Sequence, residues 1–227
     1  MLNTDFKKVH KDLYGATTEP AVVDVPPLPF LAVSGAGDPD GPVCQAAVEA
    51  LYGVSYSVRF ALKNAGIVEY PVMPLQGLWW VDGGWDITER DRDDWRWTMM
   101  IMQPPQVTAE LVAQGIAATA KKKPSAAVDQ LELREYAEGS AAQILHIGPY
   151  ADERPTIERL LAFVAEQGRQ VSGLHHEIYL SNPARTAAEK LKTIIRYPVM
   201  AVTSSVSGSA SASPVASSVS ASTSVSA

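Results

Sequence analysis

The chain has 227 residues and a mass of 24.4 kDa, with 46% hydrophobic and 19% charged residues, a globular composition sized for one domain. Nineteen basic against twenty-five acidic residues give a net charge of −6 and a pI near 5.2, which argues against a polyanion-binding surface and so against direct contact with nucleic acid. The single cysteine, Cys44, leaves no internal disulfide and no cysteine-based zinc site, and no apolar run is long enough to span a membrane.

The opening segment Met1–Gly15 lacks the apolar stretch of a signal peptide, so a cytoplasmic location is expected. Strand-like runs follow at Val22–Val25 and Phe30–Ser34, and a turn at Gly35–Gly41 leads into a helix opened by Pro42. Ala47, Leu51, Val54, Val58 and Leu62 form the apolar stripe of that helix, which Asn64–Gly66 ends. Strands at about 72–81 and 95–102 are joined by a polar loop. A second helix spans about 108–123, with Thr108 as N-cap, Lys121–Lys123 at its C-terminus and Pro124 as the stop. Segments 130–136 and 141–147 read as a hairpin across Glu138-Gly139. A third helix over about 152–167 carries Ile157, Leu160, Leu161 and Val164, and Gly168 closes it. The last strands are about 175–180 and 192–199. The order strand, helix, strand, strand occurs twice, which predicts an α+β fold of duplicated β-α-β-β modules with antiparallel sheets around a central ligand cleft. Thr203–Ala227 holds twelve serines and no charge, so the expected limits are an ordered domain over 1–200 and a disordered Ser/Ala/Val-rich tail over 201–227.

Three groups of residues could carry chemistry. All five tryptophans fall between Trp79 and Trp97, an arrangement that fits either an aromatic-walled pocket for a flat apolar ligand or plain core packing. His175 and His176 point to opposite faces of a strand and cannot chelate together; His175 and Glu177 share a face, but no third ligand is evident, so no metal site is expected. Glu177 and Tyr179 alternate with Ile178 and Leu180. A carboxylate on a face that meets the core is costly unless paired or used. The Gly35–Gly41 turn fails the dinucleotide spacing and carries Asp38 and Asp40, which repel phosphate.

His146-Ile-Gly-Pro-Tyr150, Thr156-Ile-Glu-Arg-Leu160, His175-His-Glu-Ile-Tyr-Leu-Ser-Asn-Pro183 and Lys190-Leu-Lys-Thr-Ile-Ile-Arg196 resemble the GyrI-like small-molecule-binding family. Pro74-Leu-Gln-Gly-Leu-Trp-Trp80 and Trp95-Arg-Trp-Thr-Met-Met-Ile101 resemble its stand-alone branch, and the likeness covers about residues 1–200. That branch includes hydrolases that open electrophilic cyclopropane rings of DNA-alkylating natural products; other relatives bind aromatic or cationic drugs as effector domains. The resemblance implies a metal- and cofactor-free detoxifying hydrolase for an aromatic, hydrophobic small molecule. Glu177 would be the base and Tyr150 or Tyr179 the hydrogen-bond donor to the oxygen that gains charge. Tyr56, Trp79, Trp80 and Trp97 would wall the site, with Gln76, His146 and His175 beside the ligand. The rival is a non-catalytic binder or sensor of hydrophobic cations. Gln76 stands where the branch usually has Glu, and counting along the repeat places it as the counterpart of Glu177.

Overall fold

The computed structural model describes residues 2–87 and 91–202, so the segment 203–227 lies outside the described residues. In chain order the elements are β1 (Leu2–Asn3), α1 (Phe6–Val9), α2 (Lys11–Tyr14), β2 (Ala21–Val25), β3 (Leu28–Ala36), α3 (Pro42–Asn64), β4 (Val68–Glu69), β5 (Leu75–Trp80) and β6 (Arg96–Met102). There follow α4 (Ala109–Lys122), α5 (Ala126–Asp129), β7 (Glu132–Tyr136), β8 (Gly139–Ile147), α6 (Arg154–Glu166), β9 (Arg169–Val171), β10 (His175–Tyr179) and β11 (Lys192–Ala201). At the end of the described residues, the Val202 amide donates to the Gly168 carbonyl at 3.0 Å.

The helices form where the apolar period places them. Leu51, Val54, Val58 and Leu62 on α3 are almost fully buried, as are Leu160 and Val164 on α6. Thr108 caps α4, its hydroxyl accepting from the Leu111 amide at 3.3 Å.

The main sheet is antiparallel, with the order β2-β8-β11-β10-β5-β6-β3-β7 and β9 attached to β11. Two β-α-β-β modules meet at its centre, β3-α3-β5-β6 on one side and β8-α6-β10-β11 on the other. The expected hairpin between 130–136 and 141–147 does not form: β7 pairs with β3, and β8 pairs with β2 and β11. In a flat sheet β7 and β8 would lie about 29 Å apart, at some 4.8 Å per strand. Only Ala137 and Glu138 join them, and three residue steps reach about 10 Å. Pro26 and Pro27 link β2 to β3 across the same gap. The sheet must therefore curl until its ends approach, and the edge strand preceding each module pairs with the other module.

Curling gives the sheet two unlike faces. Glu138, between the two ends, reaches His176 on the central strand β10 at 2.9 Å, so the His176 side is the concave one. It encloses a buried polar network. Gln76 donates to the Tyr14 hydroxyl at 2.9 Å, His176 bridges Gln76 and Glu138, and Arg196 reaches Glu138 at 3.2 Å and Gln143 at 2.7 Å. Burial alone would raise the Glu138 carboxyl, but His176 and Arg196 outweigh it and hold the group below the ordinary carboxylate range.

The convex face carries α3 and α6. Across the module boundary His175 opposes Trp79, Glu177 opposes Gly77, and Ile178 opposes Gln76. Directly opposed residues share a face, so Gln76 lies on the concave side, away from Glu177. Aligning the left-handed glycines Gly37 and Gly148 and following the strand registers carries Gln76 onto His176 and Gly77 onto Glu177. The expected equivalence of Gln76 and Glu177 is off by one residue, and a one-residue slip changes the face.

Gly35 opposes Trp97 on the convex face, and a Cβ there would lie 2.3 Å from the indole. Gly35→Ala is therefore expected to lower unfolding stability by about 1–3 kcal/mol, the usual range for overpacking. Denaturant titration checks this, and an unchanged midpoint would mean that the indole has room to move.

Candidate functional site

Between α3 and α6, over the middle of the convex face, lies a cleft of about 1350 Å³. Tyr52 and Tyr56 of α3, Trp79 of β5, Tyr150 and Glu153 before α6, and Glu177 and Tyr179 of β10 all line it. Strand alternation turns His175, Glu177 and Tyr179 toward this space together. Gly77 makes the matching gap on β5: a Cβ there would meet Trp79 Nε1 at 2.7 Å, so glycine lets the indole lie across its own strand.

At the floor, Glu177 is almost wholly buried and both its oxygens are engaged. His175 Nε2 lies 2.8 Å from Oε1, and the Tyr179 hydroxyl donates to Oε2 at 2.6 Å. Trp79 Nε1 donates to the Tyr179 oxygen at 3.2 Å, and the Tyr197 hydroxyl lies 2.6 Å from His175 Nδ1. Glu153, only 5% exposed, presents Oε1 with no hydrogen-bond partner among the described residues.

The two carboxyl groups are driven apart in acidity. Burial, and then the negative charge of Glu177, push Glu153 up to about 10, so it holds its proton at neutral pH. Burial also works against ionised Glu177, but the hydrogen bond from His175, with the Tyr179 bond behind it, carries it below the ordinary range. The cleft thus holds one neutral carboxylic acid beside one carboxylate. Burial, then the charge of Glu177, raise the Tyr150 phenol to about 12 and lift Tyr179 well above its usual value. Both phenols remain donors.

Of the residues expected from sequence, Tyr56, Trp79, Tyr150, His175, Glu177 and Tyr179 do meet at the cleft. Gln76 does not, for the reason given above. Trp80 follows Trp79 on the strand and faces the other way, beside Trp85 and Leu174 in a shallow surface depression. Trp97 is on the convex face but 1% exposed, stacked over Gly35 beneath the cleft wall. His146 is buried too: Nδ1 lies 2.9 Å from the Thr156 hydroxyl and Nε2 3.2 Å from the Pro149 carbonyl, so it staples the loop bearing Tyr150 and Glu153 to α6.

Sequence reasoning missed Glu153. It sits directly before α6, where an acidic residue ordinarily answers the helix dipole in solvent. Its only local signal was Glu153-Arg154-Pro155, a carboxylate ahead of a first-turn proline. Glu153 also supplies the third potential metal ligand that the sequence lacked, since one ligand atom each from Glu153, His175 and Glu177 lie within 4.8 Å of one another. Within the protein these donors also serve one another, His175 Nε2 lying 2.8 Å from Glu177 Oε1.

A duplicated β-α-β-β sheet with an aromatic cleft over a buried acid–carboxylate pair defines a small-molecule-binding protein. The chain belongs to the GyrI-like family: the GyrI-like small molecule binding domain matches residues 18–200. Among solved structures, an uncharacterised conserved protein from Listeria innocua is 37% identical with a TM-score of 0.80, covering 86% of this chain and 99% of that one. A protein described as a hydrolase from Listeria innocua is 35% identical with a TM-score of 0.76, covering 86% of this chain and 99% of that one. The C-terminal domain of EcmrR, at 11% identity and a TM-score of 0.54, shares the fold alone. No curated protein sequence matches significantly. Among the described residues, no helix is long and apolar enough to cross a membrane.

Proposed function

We propose that the protein is a hydrolase for a flat, aromatic, electrophilic small molecule, opening a strained ring such as a cyclopropane by addition of water. The observation that carries this reading is the pairing of ionised Glu177 with protonated Glu153 in one apolar-walled cleft, an acid and a base separated by environment. Similarity to solved proteins described as hydrolases supports the reaction class.

Glu177 takes a proton from water as the water oxygen bonds to the ring carbon. The ring carbon–carbon bond breaks, and its electron pair passes into the conjugated system of the ligand. Glu153, which lines the cleft, gives its proton to the ligand oxygen that gains charge, and the proton gained by Glu177 passes to Glu153 and restores the pair. The Tyr150 hydroxyl, half-exposed at the cleft and engaged by no described residue, stabilises the ligand oxygen that gains charge. Tyr179 is less suited to that duty because its proton already rests on Glu177.

The rival function is sequestration of a hydrophobic cation, with Glu177 as countercharge and Trp79 offering its ring face. Incubation with a cyclopropane-containing alkylator, followed by mass spectrometry of the product, separates the two. Product in excess over protein supports the enzyme, and stoichiometric binding without product supports the binder.

The tryptophans offer a second test. Trp79→Phe is expected to weaken binding of an aromatic ligand by about 1 kcal/mol, the scale of one aromatic contact. Trp97→Phe is expected to leave affinity unchanged and to lower stability instead. Affinity loss at Trp97 alone would move the pocket off the cleft described above.

A further inference from the structure

Both nitrogens of His175 are spent inside the protein, and the side chain is only 1% exposed. We infer that His175 and Tyr197 are positioning residues: the Tyr197 hydroxyl holds His175 in its Nε2–H tautomer, and that N–H fixes Oε1 of Glu177. The catalytic consequence rests on the hydrolase reading above; the tautomer does not.

The Tyr197 hydroxyl carries a single proton. Burial raises this phenol far above its usual range, with the charges of Glu177 and Asp86 acting the same way, so the proton stays on oxygen. At 2.6 Å from Nδ1, the hydroxyl donates and the ring nitrogen accepts. The ring's own proton then lies on Nε2, 2.8 Å from a carboxylate oxygen that can only accept. The opposite tautomer would set a lone pair of Nε2 against the Glu177 carboxylate, and two acceptors at that distance repel. Both ends of the imidazole therefore specify one arrangement.

The surroundings leave no competing partner of comparable reach among the described residues. On its own strand His175 neighbours Glu177 and Tyr179 on the convex face. Tyr197 and Thr193 come from β11, Trp79 from β5, and Glu153 from the start of α6. The ring of Trp85, in the segment after β5, packs edge-on against Tyr197 at 5.1 Å and walls off the phenol. With Tyr179 holding Oε2 and His175 holding Oε1, the carboxylate cannot turn, and its remaining lone pairs keep one direction toward the cleft. A glutamate side chain turns about three torsions, and the two hydrogen bonds hold its carboxylate in one orientation.

The test uses the full chain. Long-range proton–nitrogen correlation on protein labelled at histidine nitrogen reports each tautomer directly, and the His175 signals are those lost in His175→Gln. The expected result is a protonated Nε2 and a bare Nδ1 at neutral pH in the wild type. In Tyr197→Phe the Glu177 carboxylate still favours Nε2–H, but Nδ1 loses its donor, so the Nδ1 signal is expected to shift toward that of a bare nitrogen with no hydrogen bond. A protonated Nδ1 in the wild type, or an unchanged Nδ1 shift in Tyr197→Phe, would overturn the inference even if no substrate is ever turned over. In a turnover assay, His175→Gln returns an N–H near the Glu177 oxygen, whereas His175→Leu does not. The Gln variant is expected to retain about 10-fold more kcat than the Leu variant at similar KM, the scale of one hydrogen bond to a charged group. Equal losses in both would remove the positioning role. Absence of turnover in the wild type would instead count against the hydrolase reading alone.

Discussion

Glu177→Gln is expected to lower turnover by about 10²–10⁴-fold, the usual share of general-base catalysis, while affinity for a neutral aromatic ligand changes little. The substitution keeps the shape of the side chain and removes the group that accepts the proton of water. If the protein instead binds cations without turnover, the same change weakens cation affinity and spares neutral ligands. The sequence alone, with Glu177 counted as an unpaired buried carboxylate, points to unchanged or higher stability in this variant. The structure reverses that sign. Both Glu177 oxygens accept hydrogen bonds, from His175 and from Tyr179, and an amide nitrogen in either place would meet a donor. A loss of about 1–3 kcal/mol is expected from the stranded donor, read by denaturant titration in parallel with the rate. A variant with full turnover and unchanged cation affinity would leave Glu177 a structural residue.

What the sequence made legible was local. The stripes of α3 and α6, the cap at Thr108, the duplication and the alternation of Glu177 with Tyr179 all follow from periods of 3.6 and 2, which need only neighbouring residues. Pairing was not local. Glu138-Gly139 looks like a hairpin link because the turn chemistry is right, yet the curl of the sheet sends the two strands to opposite ends of the strand order. Gln76 was misplaced because one residue of slip is invisible to a count along the repeat but decides which face a side chain takes. Glu153 was missed because nothing in its neighbourhood shows that α6 is set down with its first turn over β10.

The duplication also divides the work. Where the second module places Glu177, Tyr179 and Tyr197, the first has Gly77, Trp79 and Ile101 at the matching positions. The second module carries both carboxyl groups of the cleft, and the first contributes the rings of Tyr52, Tyr56 and Trp79. On the proposed function, a ligand with one polar, reactive end and a flat apolar body would lie with its reactive end toward the second module. This asymmetry arises from substitution at equivalent positions, with the backbone of both halves retained.

Glu153→Gln is expected to change both chemistry and the pH dependence of stability. The amide keeps the size and one N–H donor but cannot deliver a proton, so turnover should fall by about 10²-fold, the lower end for a general acid. The stability effect has a definite sign. The carboxyl stands at 4.5 in the unfolded chain and about 10 in the folded one, so between these values the unfolded chain releases a proton that the folded chain keeps. Stability from this group is therefore present below the lower value and lost as pH rises through the window, by up to about 1.4 kcal/mol per pH unit for one fully linked proton. Glu177 cannot imitate this trend: its folded value is depressed, so its contribution is lost as pH falls. Glu153→Gln removes the alkaline penalty, and its melting temperature should gain on the wild type steadily from about pH 5 to pH 9. Thermal melts of the two proteins across that range, in one buffer series, decide the matter. A difference that does not vary with pH would mean that Glu153 ionises as a surface carboxylate does, and the cleft would then hold two bases and no acid.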